Sequence, residues 1–358
     1  MGLVGEGRAV SLEVGTGVDR GRRAWVSLQG ILGERLTAGE PAVALGSFTF
    51  DPANAGSVLF VPEALSVYDT PQPPLEDSTG TVGLDRMRYA RAEMDELRWL
   101  DEVAALIADI DRGTPSKVVL ARDEIVWGKT DLSERTIALR LTRAFPQCFT
   151  FVCDGLVGAT PELLVRRKGR KVESLVLAGS ARRGSDPDED AFEAHRLLAS
   201  SKERSEHSLA LGSVTEVLGR VCSDVVSAAE PEILRLANVQ HLATRVTARL
   251  DDPDGSVLEL VDLLHPTAAV GGVPADAALA RIRQVEGNLR GRYAGPVGWV
   301  DANGDGEWGI ALRCALLSGN RARLFAGAGI VSGSLPEAEL EETRLKFRAM
   351  ESALGLAD

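Results

Sequence analysis

The sequence predicts an α+β protein in which antiparallel sheets pack between helices, and three observations predict it. Short apolar-alternating runs bounded by Gly, Pro and Asp read as strands. Helical periodicity comes in fewer, longer pieces. Strand patterns dominate, which places helices on sheets rather than helices on helices. The chain has 358 residues, 44% of them hydrophobic, enough for a large core. Length alone leaves one large domain and two ordinary ones equally open. The one linker-like stretch, TPQPPLEDSTGTVG from Thr70 to Gly83, reads as a surface loop rather than a boundary, so a single domain over 1–358 is expected.

In chain order, PAVALGSFTF from Pro41 and SVLFVPEAL from Ser57 predict antiparallel strands in the first third. Helical patterning runs from about Tyr89 to Asp111 and stops at the Gly113–Thr114–Pro115 breaker. KVVLARDEIVW from Lys117, CFTFVCDG from Cys148, ATPELLVRR and KVESLVLAGSARRG then predict strands. A long helical stretch spans about Asp188 to Val221, and two more helices flank LHPTAAVGG at Leu264 to Gly272. YAGPVGWVD, EWGIALRCALL and RARLFAGAGIV predict a β-meander, and a final helix begins near Leu335.

Charge narrows the partners. With 52 acidic and 40 basic side chains the net charge is −12, which argues against nucleic acid and against a polybasic membrane contact. Cys148, Cys153, Cys222 and Cys314 form no CxxC pair, so neither a zinc knuckle nor a disulfide framework is indicated. The start, MGLVGEGRAVSLEV, lacks a signal-peptide layout, and no apolar run reaches the roughly 20 residues of a membrane helix. The expectation is a cytoplasmic protein.

Two motifs are decoys. Asp301, Asn303, Asp305 and Gly306 imitate the start of a calcium loop, but the twelfth position is Leu312 where a glutamate is required. The segment instead reads as a hairpin turn. Gly327, Gly329 and Gly333 lack the spacing of a nucleotide loop and have no βαβ unit around them.

The chemistry-bearing pattern is a pair of helical segments with carboxylates at i, i+3. SKERSEH carries Glu203 and Glu206; EAELEETRLK carries Glu339 and Glu342, with Lys346 one turn beyond. Oxygen-only ligands suit a hard cation such as Mg²⁺. Such pairs are more often solvated surface, and spacing alone favours that reading. Lys117 opens an apolar strand: either an edge lysine in water, or a base whose pKa burial lowers. Glu162, between Pro161 and two leucines, is either a turn carboxylate or an acid kept protonated by apolar surroundings.

Read together, KVVLAR at Lys117, GATPELL at Gly158, LAGSARRG at Leu177, LLASSKERSEH at Leu197, QHLAT at Gln240, LHPTAAVGG at Leu264, YAGPVGW at Tyr293, ALRCA at Ala311, LFAGAGIV at Leu324 and ELEETRLK at Glu339 resemble the chorismate-utilising enzymes in order and spacing. The resemblance covers residues 112–358; residues 1–85 are less typical. It implies one α+β domain like that of anthranilate synthase component I, with Mg²⁺ as cofactor and chorismate as small-molecule partner, and related enzymes are often monomers. It also implies roles. Lys117 and Glu162 match the general base and acid, Glu206 and Glu342 the metal ligands, and Glu203 and Glu339 a partly water-mediated second tier. Arg313 and Lys346 match groups holding the substrate carboxylates, and Gly179, Ser180, His241, Thr267 and Gly327 match pocket positions.

Within that family, a lysine at Lys117 resembles the water-using members, and Ala178 stands where aminodeoxychorismate synthases carry a catalytic lysine. LHPT with His265 and Pro266 resembles isochorismate synthases. The alternatives are a salicylate synthase, which shares the chemistry residues and then eliminates pyruvate, and a non-catalytic relative.

Overall fold

Strand Lys117–Trp127 is buried almost throughout because both its faces are covered, Val118 and Leu120 by the main core and Val126 by a second cluster. Its full-length antiparallel partner is Arg321–Val331, which sets Lys117 opposite Val331 and Ala121 opposite Gly327. In this computed structural model, which describes residues 2–68, 87–113 and 115–356, the two strands are the middle of a seven-stranded sheet. Gly272–Val273 and Arg88–Arg91 pair on its outer side, and Cys314–Ser318, Leu156–Thr160 and Phe149–Cys153 extend the other. The Thr70–Gly83 stretch lies outside the described residues.

A second, ten-stranded sheet runs Cys222–Ser227, Val239–Leu250, Lys171–Arg182, Leu163–Lys168, Gly306–Ile310, Pro296–Asp301, Val43–Ser47, Val58–Val61 and Val10–Glu13, with Glu232–Arg235 also pairing on Val239–Leu250. Pairings throughout both sheets are antiparallel, as expected. The main core lies between the sheets and is shared by them: Val118, Leu120 and Ile330 from one meet Val165, Val176 and Val246 from the other. Alternation sends Leu324 and Ala326 to the opposite face, where they pack with Ile137, Leu141 and Phe347 of helices Glu134–Ala144 and Pro336–Leu354.

Several expectations need correction. Helix Arg20–Ala38 is absent from the sequence reading; it buries Trp25, Leu28 and Leu32 on one stripe and ends at Gly39 with φ 73°. The helix expected from Tyr89 starts only at Glu96, because Arg88–Arg91 is recruited as a strand and Asp95 caps Arg98 N. The stretch 188–221 is two helices, Pro187–Ala199 and Ser201–Leu218. They break at Ser200, whose extended backbone lets its hydroxyl cap Glu203 N. The C-terminal β-meander is divided: Pro296–Asp301 and Gly306–Ile310 belong to the larger sheet, Cys314–Ser318 and Arg321–Val331 to the smaller. The chain crosses between sheets at Ala311–Arg313, and Arg313 takes φ 45° there. The calcium-loop decoy is a hairpin turn, with Asp301 Oδ1 accepting from Asn303 N and Asp305 N. No helix among the described residues is long and apolar enough to cross a membrane.

Candidate active site

The crossing point opens a cavity between the sheets. Its walls include Glu162, Glu206, His241, Arg313, Glu342 and Lys346. Tyr293, Val270, Ala294 and Phe325 line it too, and all four also belong to the central core.

One wall is built on an irregularity. Strands Lys171–Arg182 and Val239–Leu250 slip register between Ala178 and Ser180, where Gly179 takes φ +80°. A side chain there would meet Glu203 Oε2 at 3.2 Å, so glycine allows the helix to lay Glu203 on the bulge. Ser180 N donates to that oxygen at 3.1 Å. Across the slip, His241 Nδ1 lies 3.2 Å from Gly179 O and 3.1 Å from Ser180 Oγ. Arg313 Nη2 stands 2.5 Å from His241 Nε2. A guanidinium only donates, so Nε2 accepts and the ring proton sits on Nδ1, directed at Gly179 O. Burial, and then the Arg313 charge, hold His241 well below the usual imidazole range, so it is a neutral orienting group.

Arg313 is buried, yet its Nε and Nη1 find no acceptor among the described residues. Buried donors without partners are rare and point to a ligand with acceptor oxygens. Lys346 stands nearby on helix Pro336–Leu354, donating to Gly327 O at 2.8 Å and pairing with Glu342 at 2.6 Å.

Each of the four helical glutamates, Glu203, Glu206, Glu339 and Glu342, faces a lysine. Lys117 Nζ lies 3.0 Å from Glu206 Oε1, an ion pair rather than an aligned hydrogen bond. Lys202 pairs with Glu339 at 2.7 Å and reaches Glu203 at 3.7 Å. Lys117 is therefore buried rather than an edge lysine in water, and it lies against a carboxylate. Burial presses Glu206 upward, yet Lys117, together with Lys346 and Lys202, outweighs it and holds the carboxyl below its ordinary value. Glu203, buried and repelled by Glu206, is pushed up to about 7. Glu339 is raised by burial and by Glu342. Glu162 carries no such lysine contact: burial pushes it up to about 8 against the pull of Lys117, Arg313 and Lys346.

The four glutamates do not converge as a ready-made cage; among the described residues no group of three carboxylate, His or Cys side chains could hold one ion. Glu206 and Glu342 both face the cavity, however, and their charges reach Glu203 together. Mg²⁺ is commonly held by one or two carboxylates, with waters and an anionic ligand completing the shell. The oxygen-only pair fits that requirement. Glu203 and Glu339 stand behind it, engaged by Ser180 N and Lys202.

Thr267 is buried, its hydroxyl without a partner among the described residues, and Ala269 and Val270 of its turn line the cavity. Gly327 and Gly329 both line the cavity. A methyl at Gly327 would meet Leu120 O at 3.0 Å and Tyr293 Oη at 3.2 Å. One at Gly329 would stand 2.4 Å from Glu206 Oε1, so Gly329 is the glycine that admits the carboxylate. Gly329 and Tyr293 were quoted in motifs without a role; their signal was present, but nothing in spacing says what they face.

The family model described as chorismate binding enzyme matches residues 75–355. The chain is 38% identical over 337 residues to MenF of Mycobacterium tuberculosis (strain ATCC 25618 / H37Rv), covering 90% of this chain and 88% of that protein. It is 35% identical over 321 residues to isochorismate synthase EntC of Escherichia coli (strain K12), covering 88% and 81%. The solved structure of DhbC from Bacillus anthracis has a TM-score of 0.88 at 31% identity, covering 99% of this chain and 94% of that one. The chain belongs to the chorismate-binding enzymes.

Proposed function

We propose that this chain, as a single chorismate-binding domain, is a Mg²⁺-dependent isochorismate synthase. The observation that carries the reading is Glu162, pushed up to about 8 and so protonated near neutrality, in one cavity with the acceptor-less donors of Arg313. A chorismate relative at 35% identity, EntC, is named for this activity.

Arg313, oriented by neutral His241, offers unpartnered donors to a substrate carboxylate. Lys346 takes the other, close to Gly327. Isomerisation adds water at C2, shifts the double bonds and expels the C4 hydroxyl. Lys117, in its neutral amine form, serves as base toward the adding water, and Glu162 gives its proton to the departing hydroxyl, so water enters and water leaves. The walls formed by Val119, Val270 and Phe325 exclude bulk solvent. Glu206 and Glu342 would hold Mg²⁺, which when bound anchors and neutralises the ring carboxylate.

Incubation of the purified protein with chorismate, with and without Mg²⁺, and chromatographic identification of the products tests this. Mg²⁺-dependent isochorismate without pyruvate is expected. Salicylate with pyruvate would move the chain to the lyase-competent branch, and unconsumed chorismate would overturn the reading.

A further inference from the structure

Strand Lys117–Trp127 is fully paired on one edge, but on the other, among the described residues, only at its ends: by Gly272–Val273, with Gly271 O also accepting from Val119 N at 2.8 Å, and by Arg88–Arg91. Between those ends Val119 O and Ala121 N are buried with no neighbouring strand to meet them. A side-chain pair meets them instead. Arg290 Nη2 donates to Val119 O at 2.6 Å, and Glu286 Oε1 accepts from Ala121 N at 2.8 Å. The two are locked to each other: Arg290 Nε donates to Glu286 Oε2 at 2.7 Å and Nη2 to Oε1 at 2.8 Å. Arg290 Nη1 donates to Val270 O at 2.7 Å, and the guanidinium lies 4.0 Å over the Phe50 ring.

The ion pair thus continues a hydrogen-bond ladder past the point where its strand has stopped. The chain before Gly271 turns away from the strand at this point, and Ala269 and Val270 of that turn line the cavity. Val119 and Val270, both held by Arg290, line that cavity, and Lys117 lies two residues before Val119 on the same strand. Arg290 also borders a small cleft on its far side, with Asp51, Asn54 and Asn288, so it forms the partition between the two.

We propose that Arg290, locked by Glu286, is a positioning residue: it sets the spacing between the Val119 strand and the Val270 turn, and so the attitude of the bound ring toward Lys117 and Glu162. This rests on the isochorismate synthase reading. Its polar contacts named above all go to the protein, so it acts through the walls rather than on the substrate.

Arg290→Lys keeps the charge but loses the planar fork that serves Glu286, Val119 and Val270 together. The expected result is a kcat about 10- to 100-fold lower, the scale of a misplaced reaction geometry. KM should move less than about threefold, because Arg313 and Lys346 still hold the carboxylates. Glu286→Gln keeps an acceptor for Ala121 N and should lie between native and Arg290→Lys. Arg283→Met is the structural control. Arg283 is on the same helix and makes a two-point pair with Asp51 at 2.6 and 2.7 Å, away from the cavity walls. It should lower Tm while leaving kcat and KM at native values. Native kcat in a folded Arg290→Lys protein would overturn the inference, as would a kcat loss equal to that of Arg283→Met. The native chain is assayed alongside: absence of isochorismate there would sink the function itself, whereas a failure confined to the variants sinks only this inference.

Discussion

Replacing Glu162 by glutamine is expected to stop the chemistry and stabilise the protein at the same time. The carboxyl is 4% exposed, and burial raises it from 4.5 to about 8. A folded-state value above the unfolded one means that the native state holds the proton more tightly across that window. The stability Glu162 contributes is therefore complete below about pH 4.5 and is lost as pH rises toward about 8. At pH 7.5, three units above the unfolded value, the loss is about 4 kcal/mol at about 1.4 kcal/mol per unit. Glutamine has the shape without the charge and escapes this cost. For a chain of 358 residues, about 4 kcal/mol corresponds to roughly 5 °C in Tm. Thermal unfolding of both proteins between pH 4.5 and 8.5 measures it. The advantage of Glu162→Gln should be near zero at pH 4.5 and grow to its full size around pH 8. Native turnover should decline above about pH 8, where the acid loses its proton. An equal Tm at pH 7.5, or the same gain at pH 4.5, would refute the assignment of a buried, protonated Glu162.

Arg313→Met removes two free donors and should raise KM for chorismate about 10- to 100-fold, since a charged hydrogen bond contributes about 1.5–3 kcal/mol; steady-state kinetics checks it. Gly329→Ala places a methyl 2.4 Å from Glu206 Oε1 and 3.2 Å from Lys117 Cε. It should shift the Mg²⁺ titration of activity to higher concentration, and more so than Gly327→Ala, whose nearest contact is 3.0 Å.

The strands of the smaller sheet were legible because KVVLARDEIVW and RARLFAGAGIV are continuous apolar runs with clear turns beside them. Their membership in one sheet was not, since the period that marks a strand carries no information about its partner. Hence the C-terminal meander was read whole, although Arg313 divides it between two sheets. Helix Arg20–Ala38 is hard to read because its buried stripe mixes Arg20 and Gly21 with Trp25, Leu28 and Leu32, and the helix carries four arginines. At the cavity, the i, i+3 spacing correctly puts Glu339 and Glu342 on one helix, and the fold brings Glu206 and Glu342 to one cavity. That Lys117 would face Glu206, and Lys202 face Glu339, depends on how separate elements pack. The Arg290–Glu286 pair at i, i+4 looks like an ordinary helical surface pair until the unpaired strand edge beside it is seen.

The wall of the cavity and the centre of the core are the same residues at Val270, Tyr293, Ala294 and Phe325. Reshaping such a pocket is a repacking problem: any change of volume there is felt by both sheets. A lineage seeking a new substrate in this scaffold would have to acquire spare stability first. Polar edits at Ser180 or Lys346, which lie outside that shared apolar set, offer a less costly route to altered chemistry. The same sharing means that a ligand filling the cavity braces the whole molecule, so occupancy should register as resistance to global unfolding rather than as the quieting of a loop.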